Sequence, residues 1–182
     1  MKTCEQAPGL SVYQHGLDVA NWYRGLWDYL NGVPTTYKFH IDEHDKALLQ
    51  QLMPLALPPK DARMYQVYHD CGKPYCNEFD EQGRRHFPNH AELSYQYFLQ
   101  AVADQRTADL IRYDMLCHTA KGEDIGLLLS LDDAPTLLIS SWAELHSNAA
   151  ALFGGFESDS FKIKRKKLRR IGNKLVSKMK EG

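Results

Sequence analysis

The chain has 182 residues, about 20.9 kDa, with 43 % apolar and 25 % charged residues, which bounds it as one globular domain large enough to bury its own core. Its net charge of −1 averages two unlike parts: residues 157–182 carry ten basic and three acidic side chains, so the first 156 residues are strongly acidic and the end is strongly basic. No apolar run approaches the roughly 18 residues of a membrane span, the start lacks the apolar stretch of a secretory signal, and four scattered cysteines make neither a disulfide scaffold nor a structural zinc site; the expectation is a reduced, cytoplasmic protein with no membrane partner.

Helical periodicity dominates from the start. His15, Val19, Trp22, Leu26, Tyr29 and Val33 recur at steps of three and four, one stripe of a first helix that Gly32 and Pro34 stop. A second helix is predicted over Glu43–Leu52, ended by Pro54, and a third from about Lys60 to Cys71 after the Pro58-Pro59 linker. Gly72 occupies the place of a left-handed cap and Pro74 forbids continuation. Lys73 to Pro88 has no period and reads as a loop of the length that often carries function. Asn89 and Glu92 read as a capping box opening a fourth helix, with Leu93, Tyr97 and Ala101 as its core face. A fifth helix is predicted over Thr107–Thr119, a short one over Glu123–Leu131, a long one from Asp133-Pro135 to about Phe153, closed by Gly154-Gly155, and a last one from about Asp159 to Lys180 with Gly172 as its weak point. No strand and no repeat stand out. The expected fold is all-α, a compact single-domain helical bundle.

The sharpest chemical feature is Tyr68-His69-Asp70-Cys71-Gly72-Lys73-Pro74. A histidine and an aspartate in the last turn of a helix can both reach an ion placed over its end, where the helix dipole favours a cation. An imidazole with a carboxylate suits zinc, manganese or iron, and the carboxylate tolerates magnesium. The bland alternative for this pair is a helix-end salt link.

His-Asp-x-Gly-Lys resembles the signature of the HD-domain metal-dependent phosphohydrolases. The resemblance extends in order along residues 11–155. His15, followed by Val19-Ala20 and aromatic residues, is similar to the family's first histidine; His69 and Asp70 form the central pair; His90 and His118 resemble the two further histidines of two-metal members. The family ends its set with an aspartate after an alanine, where this chain has Glu144 after Ala143. The resemblance implies a helical bundle that holds one or two divalent ions (Mn, Mg, Fe, Zn, Co or Ni not distinguished) through His15, His69, Asp70, His90, His118 and Glu144. It also implies attack of a metal-activated hydroxide on phosphorus, with Asp70 shared between ions about 3.5–4 Å apart and Lys73 on a phosphate oxygen.

Several assignments stay open at the level of sequence. His15 starts an apolar stripe and is also readable as a core histidine; its rivals His40 and His44 lie in a polar segment. His86 competes with His90 for the ligand role or touches substrate from the loop. Lys121 is either a phosphate contact or a plain surface lysine. Glu144 lies in the row Leu137, Ser141, Glu144, Asn148 beside an apolar row, which suits solvent or an active-site face.

From Lys162 to Lys180 there are ten lysines and arginines and no acid, with Phe161, Leu168, Ile171, Leu175 and Met179 forming one apolar seam. This predicts a basic amphipathic C-terminal helix over 157–182, either docked with a solvated basic face or contacting an RNA or DNA backbone through Lys164, Arg165, Lys166, Lys167, Arg169 and Arg170. The leading expectation is a phosphohydrolase or phosphodiesterase acting on a nucleic-acid end, a cyclic phosphate or a nucleotide. The alternatives are a (deoxy)nucleoside triphosphate hydrolase, and a non-enzymatic helical domain that binds nucleic acid.

Overall fold

A computed structural model describes residues 1–151 and 154–181. It begins with a small antiparallel hairpin, β1 (Glu5–Ala7) and β2 (Leu10–Ser11), that runs directly into α1 (Val12–Leu30). The Ser11 side chain accepts the Gln14 N–H and so caps α1, while Gly32 at φ +73° ends the helical path. α2 (Glu43–Leu52) is capped by Asp42, and α3 (Pro59–Tyr68) starts on the Pro58-Pro59 step. A second hairpin, β3 (Glu78–Phe79) and β4 (Arg85–His86), precedes α4 (His90–Val102), α5 (Gln105–Tyr113), α6 (Leu116–Thr119), α7 (Glu123–Ser130), α8 (Ala134–Ala151) and α9 (Asp159–Glu181).

The core is built around α8. Leu137, Leu138, Ile139, Trp142, Ala143, Leu145 and Ala149 are all buried, so this helix is apolar on most of its circumference and needs neighbours on every side. α1 and α9 are among its main neighbours, and α6 and α7 also touch it. α1 packs equally closely on α3, and α9 also covers α2. Leu26, Leu49, Tyr65, Ile111, Leu138 and Leu168 thus belong to one continuous hydrophobic core.

The mainly helical architecture matches the expectation, with local corrections. Two short hairpins appear where no strand was expected; two- and three-residue strands are too short to show a period of two. The second of them, with a 3-10 turn over Lys73–Tyr75, orders the stretch read as loop. α3 ends at Tyr68, three residues before the predicted end. The Asn89–Glu92 capping box does not form: Asn89 is left-handed at φ 56° and its side chain caps nothing, while Glu92 pairs with Arg112. α4 buries Ser94 and Phe98 instead of Leu93, Tyr97 and Ala101. The predicted fifth helix is two, broken at Asp114-Met115. Gly172 is no weak point but a packing position, closed over by Leu48 and Leu138. The seam of α9 buries Phe161, Leu168, Ile171 and Leu175, with Val176 in place of the exposed Met179. Leu152 and Phe153, the predicted end of the long helix, lie outside the described residues. Among the described residues, no helix is long and apolar enough to cross a membrane.

Candidate metal centre

Two glycines let the helices that carry the site come together. A Cβ on Gly16 would lie 2.3 Å from the Val67 carbonyl oxygen, so only glycine permits α1 to cross α3 this closely. That contact brings the neighbouring His15 ring to 5.3 Å from His69, centroid to centroid. Gly72 acts in the same way and not as the left-handed cap expected of it. Its φ is −79°, and a Cβ there would meet the Ser94 backbone nitrogen at 2.5 Å. The Gly72 N–H donates to Ser94 Oγ at 2.8 Å, which fastens the turn after Asp70 to α4 and sets His90 opposite it.

Asp70 is the hub. Its Oδ2 lies 3.2 Å from His69 Nε2 and 3.8 Å from His15 Nε2, and its Oδ1 lies 3.5 Å from His90 Nε2. Lys73 donates to the same Oδ2 at 2.5 Å and to Gln6 Oε1 of β1 at 2.9 Å. On the far side, Glu144 Oε1 is 3.8 Å from His15 Nε2, and Glu144 Oε2 is 3.1 Å from His118 Nε2. The six residues read as ligands therefore converge from α1, the turn after α3, α4, α6 and α8. Lys73 stands beside them, its ammonium held on Asp70.

The imidazoles are oriented from behind. His69 Nδ1 lies 2.7 Å from the Gln66 carbonyl and His90 Nδ1 lies 2.9 Å from that of Phe87, so each Nδ1 is the protonated nitrogen and each Nε2 faces the carboxylates. His15 Nε2 and His69 Nε2 are buried with no hydrogen-bond partner. The 3.2 Å approach of His69 to Asp70 lacks hydrogen-bond geometry.

The charges reinforce one another. Burial alone would discharge His69, but the carboxylates of Asp70, Asp114 and Glu144 together hold its pKa at about 10. Burial likewise opposes ionisation of Asp70, yet His69 and Lys73 keep its carboxyl well below the usual range. Glu144 is depressed in the same way, against its burial, chiefly by His118. His118 is raised against its own burial by Glu144.

One residue of the cluster was missed from sequence. Asp114, buried at the α5–α6 break, accepts the Tyr65 hydroxyl at 2.5 Å, and burial raises its pKa. Ligand atoms of His69, Asp114 and Glu144 lie within 4.8 Å of one another, as do those of His15, His69 and Asp70. The available signal was its position four residues before His118 on a predicted helix face.

Other candidates fall elsewhere. His86 is on exposed β4, 2.9 Å from Asp80 Oδ2, which leaves His90 as the histidine facing Asp70. His146, two residues beyond Glu144, is a satisfied core histidine: its Nδ1 donates to the Trp142 carbonyl and its Nε2 accepts the His40 N–H, and burial lowers its pKa to about 4. Lys121 is exposed and lines a groove along α9 with Lys166, Lys167, Arg169 and Arg170. Arg165 and Arg169 are bound to Asp42 and to buried Asp45. Lys167 donates to the His118 carbonyl at 2.6 Å, and Lys164 is half-buried.

Comparison of the chain with family models, with curated proteins and with solved structures found no match.

Proposed function

We propose that this chain is a divalent-metal-dependent phosphohydrolase of the HD-domain type, with its reaction centre at the Asp70 cluster. The observation that carries the reading is the pair of orphaned buried nitrogens, His15 Nε2 and His69 Nε2, aimed at the carboxylates of Asp70 and Glu144. A buried polar nitrogen without a partner costs about 1–3 kcal/mol, and a divalent cation among these groups would displace the proton that the carboxylates hold on His69 and take both nitrogens as ligands. The mixed nitrogen and oxygen donor set fits Mn, Fe, Zn, Co or Ni, and Mg through its carboxylates.

A divalent ion bound there supplies Lewis-acid charge at phosphate oxygens and lowers the pKa of a water molecule. The protein's own groups do the rest. Asp70 offers one carboxylate oxygen toward His15 and His69 and the other toward His90, so either oxygen would be available to hold a cation. Lys73, buried and anchored on Gln6, holds that carboxylate in place and offers its ammonium as a point charge for a phosphate oxygen. Glu144 is positioned by His118 on one side and by the Asn148 amide, which donates to Oε1 at 3.2 Å, on the other.

Elemental analysis, metal titration and a turnover screen over mono-, di- and cyclic-phosphate esters test the reading. The expected result is stoichiometric divalent metal and metal-dependent phosphate release, both lost in His69→Ala and Asp70→Ala variants whose circular dichroism stays helical. Near-normal metal content or turnover in either variant would overturn it.

A further inference from the structure

The fold turns one face of α9 into a continuous cationic ridge. Lys166, Arg170, Lys174 and Lys178 recur every four residues, about 6 Å apart along the axis, and all four are exposed. They line a groove of about 1100 Å³ whose far wall includes Lys121 and the Leu129 side chain, and among the described residues no acid lines it. This is unusual in a chain of net charge −1. Asp42 and Asp45, at the start of α2, hold Arg165, which lies outside the groove, and Arg169, which borders it.

The groove also has a direction. Near its Lys121 end, the Lys167 ammonium sits on the His118 carbonyl at 2.6 Å, and Lys121 itself is three residues past His118. The other end runs out along α9, where Lys178 donates to the Leu129 carbonyl at 2.6 Å. Leu129 and the exposed Ile163 give it apolar surface between the cations. A membrane surface fits poorly, because the apolar seam of α9 (Phe161, Leu168, Ile171 and Leu175) is already buried in the core.

We propose that this groove seats a single strand of nucleic acid, its phosphates along Lys166, Arg170, Lys174 and Lys178, and leads one end of it toward His118 and Glu144. The seat stands on the groove alone; the delivery of an end to be hydrolysed rests on the phosphohydrolase reading. A phosphate chain matches a linear array of cations, the electrostatic part of the combination by which proteins track single strands without reading sequence, and Leu129 and Ile163 offer apolar contact in place of an aromatic stacking platform. Of the sequence-based candidates, Lys166, Lys167, Arg169 and Arg170 line the groove; Lys174, Lys178 and Lys121 join them, and Arg165 faces the acids of α2 instead.

The test is fluorescence anisotropy of end-labelled RNA and DNA strands of about 12 nucleotides, on the full chain with chelator present so that binding is read without turnover. Wild-type affinity is expected to fall steeply with salt. The double variant Arg170→Glu/Lys174→Glu is expected to bind on the order of tenfold more weakly or worse, with a log–log salt slope shallower by about 1.4, since each phosphate contact to a single strand contributes about 0.7. Lys162→Glu, on the same helix but outside the groove, is expected to bind as wild type. Thermal unfolding checks that each variant folds, with Arg170→Gln/Lys174→Gln in reserve. Wild-type affinity in the folded double variant overturns the proposal, and so does displacement of the strand by polyglutamate or phosphatidylserine vesicles at equal charge concentration. A protein that loads metal and cleaves a small phosphodiester but has no strand affinity sinks the groove and spares the phosphohydrolase reading. Strand affinity without metal binding does the reverse.

Discussion

Glu144 is held between two histidines, 3.8 Å from His15 Nε2 and 3.1 Å from His118 Nε2, with Asn148 bracing one oxygen. A glutamate that faced only solvent would have no need of these partners, so its charge is the property to test. Glu144→Gln keeps the shape and removes the charge; it is expected to weaken divalent-metal affinity by about 10–100-fold or more and to lower turnover with it. Glu144→Asp keeps the charge and withdraws it by about one carbon–carbon bond, which should cost less. Isothermal titration with Mn²⁺ on both variants decides, and full affinity in Glu144→Gln would make Glu144 a bystander. At this scale the histidines and Asp70 were legible because each stands in a local pattern: a helix end, a cap, an apolar stripe. Asp114 was not, because its meaning is tertiary. Only the break between α5 and α6 turns it inward, under the Tyr65 hydroxyl.

Helix crossings, rather than individual ligands, set how close the imidazoles come. The α1–α3 crossing depends on Gly16, where an added Cβ would meet backbone, the Val67 carbonyl, which has no rotamer by which to yield. Gly16→Ala is therefore expected to force the helices apart at a cost of about 1–3 kcal/mol and to draw His15 away from His69. Denaturant unfolding reads the first effect and metal affinity the second; an unchanged midpoint would show that the crossing relaxes freely. Most helices could be read from sequence because their apolar steps of three and four record the face they bury, as in His15, Val19 and Leu26. The two hairpins could not. Their strands are held by side chains distant in sequence: Lys73 reaches Gln6 of β1, and Arg85 of β4 donates to the Glu5 carbonyl. The role of Gly72 was missed for the same reason, since its constraint is α4, more than twenty residues away, and not its own φ.

The whole molecule is closed by α9, which the sequence presents as a basic tail and the structure uses as part of the core. Phe161, Leu168, Ile171 and Leu175 are buried against the same cluster as Leu26 and Leu138, so removing residues 157–182 should abolish the cooperative thermal transition rather than yield a trimmed bundle. A truncated chain with a sharp, near-native transition would contradict that. An ionic clamp joins this helix to α2: Arg165 and Arg169 both hold Asp42, the α2 N-cap, and buried Asp45 beside it. Burial opposes the Asp42 charge, but the Asp45 backbone N–H and the two guanidinium groups together outweigh it and lower the carboxyl's pKa. The sign follows from linkage. A carboxyl whose folded pKa lies below its unfolded value of about 3.9 adds stability that is fully present above that value and is lost as pH falls through the folded pKa. Acidification from about pH 5 to below the folded pKa should therefore loosen the α2–α9 junction. Thermal midpoints of wild type and Asp42→Asn, measured through this window, should converge as the pH falls, because the variant has no such charge to lose. Parallel curves with a constant gap would mean that the Asp42 charge contributes nothing to the docking of α9, leaving Asp45 and apolar burial to hold the helix.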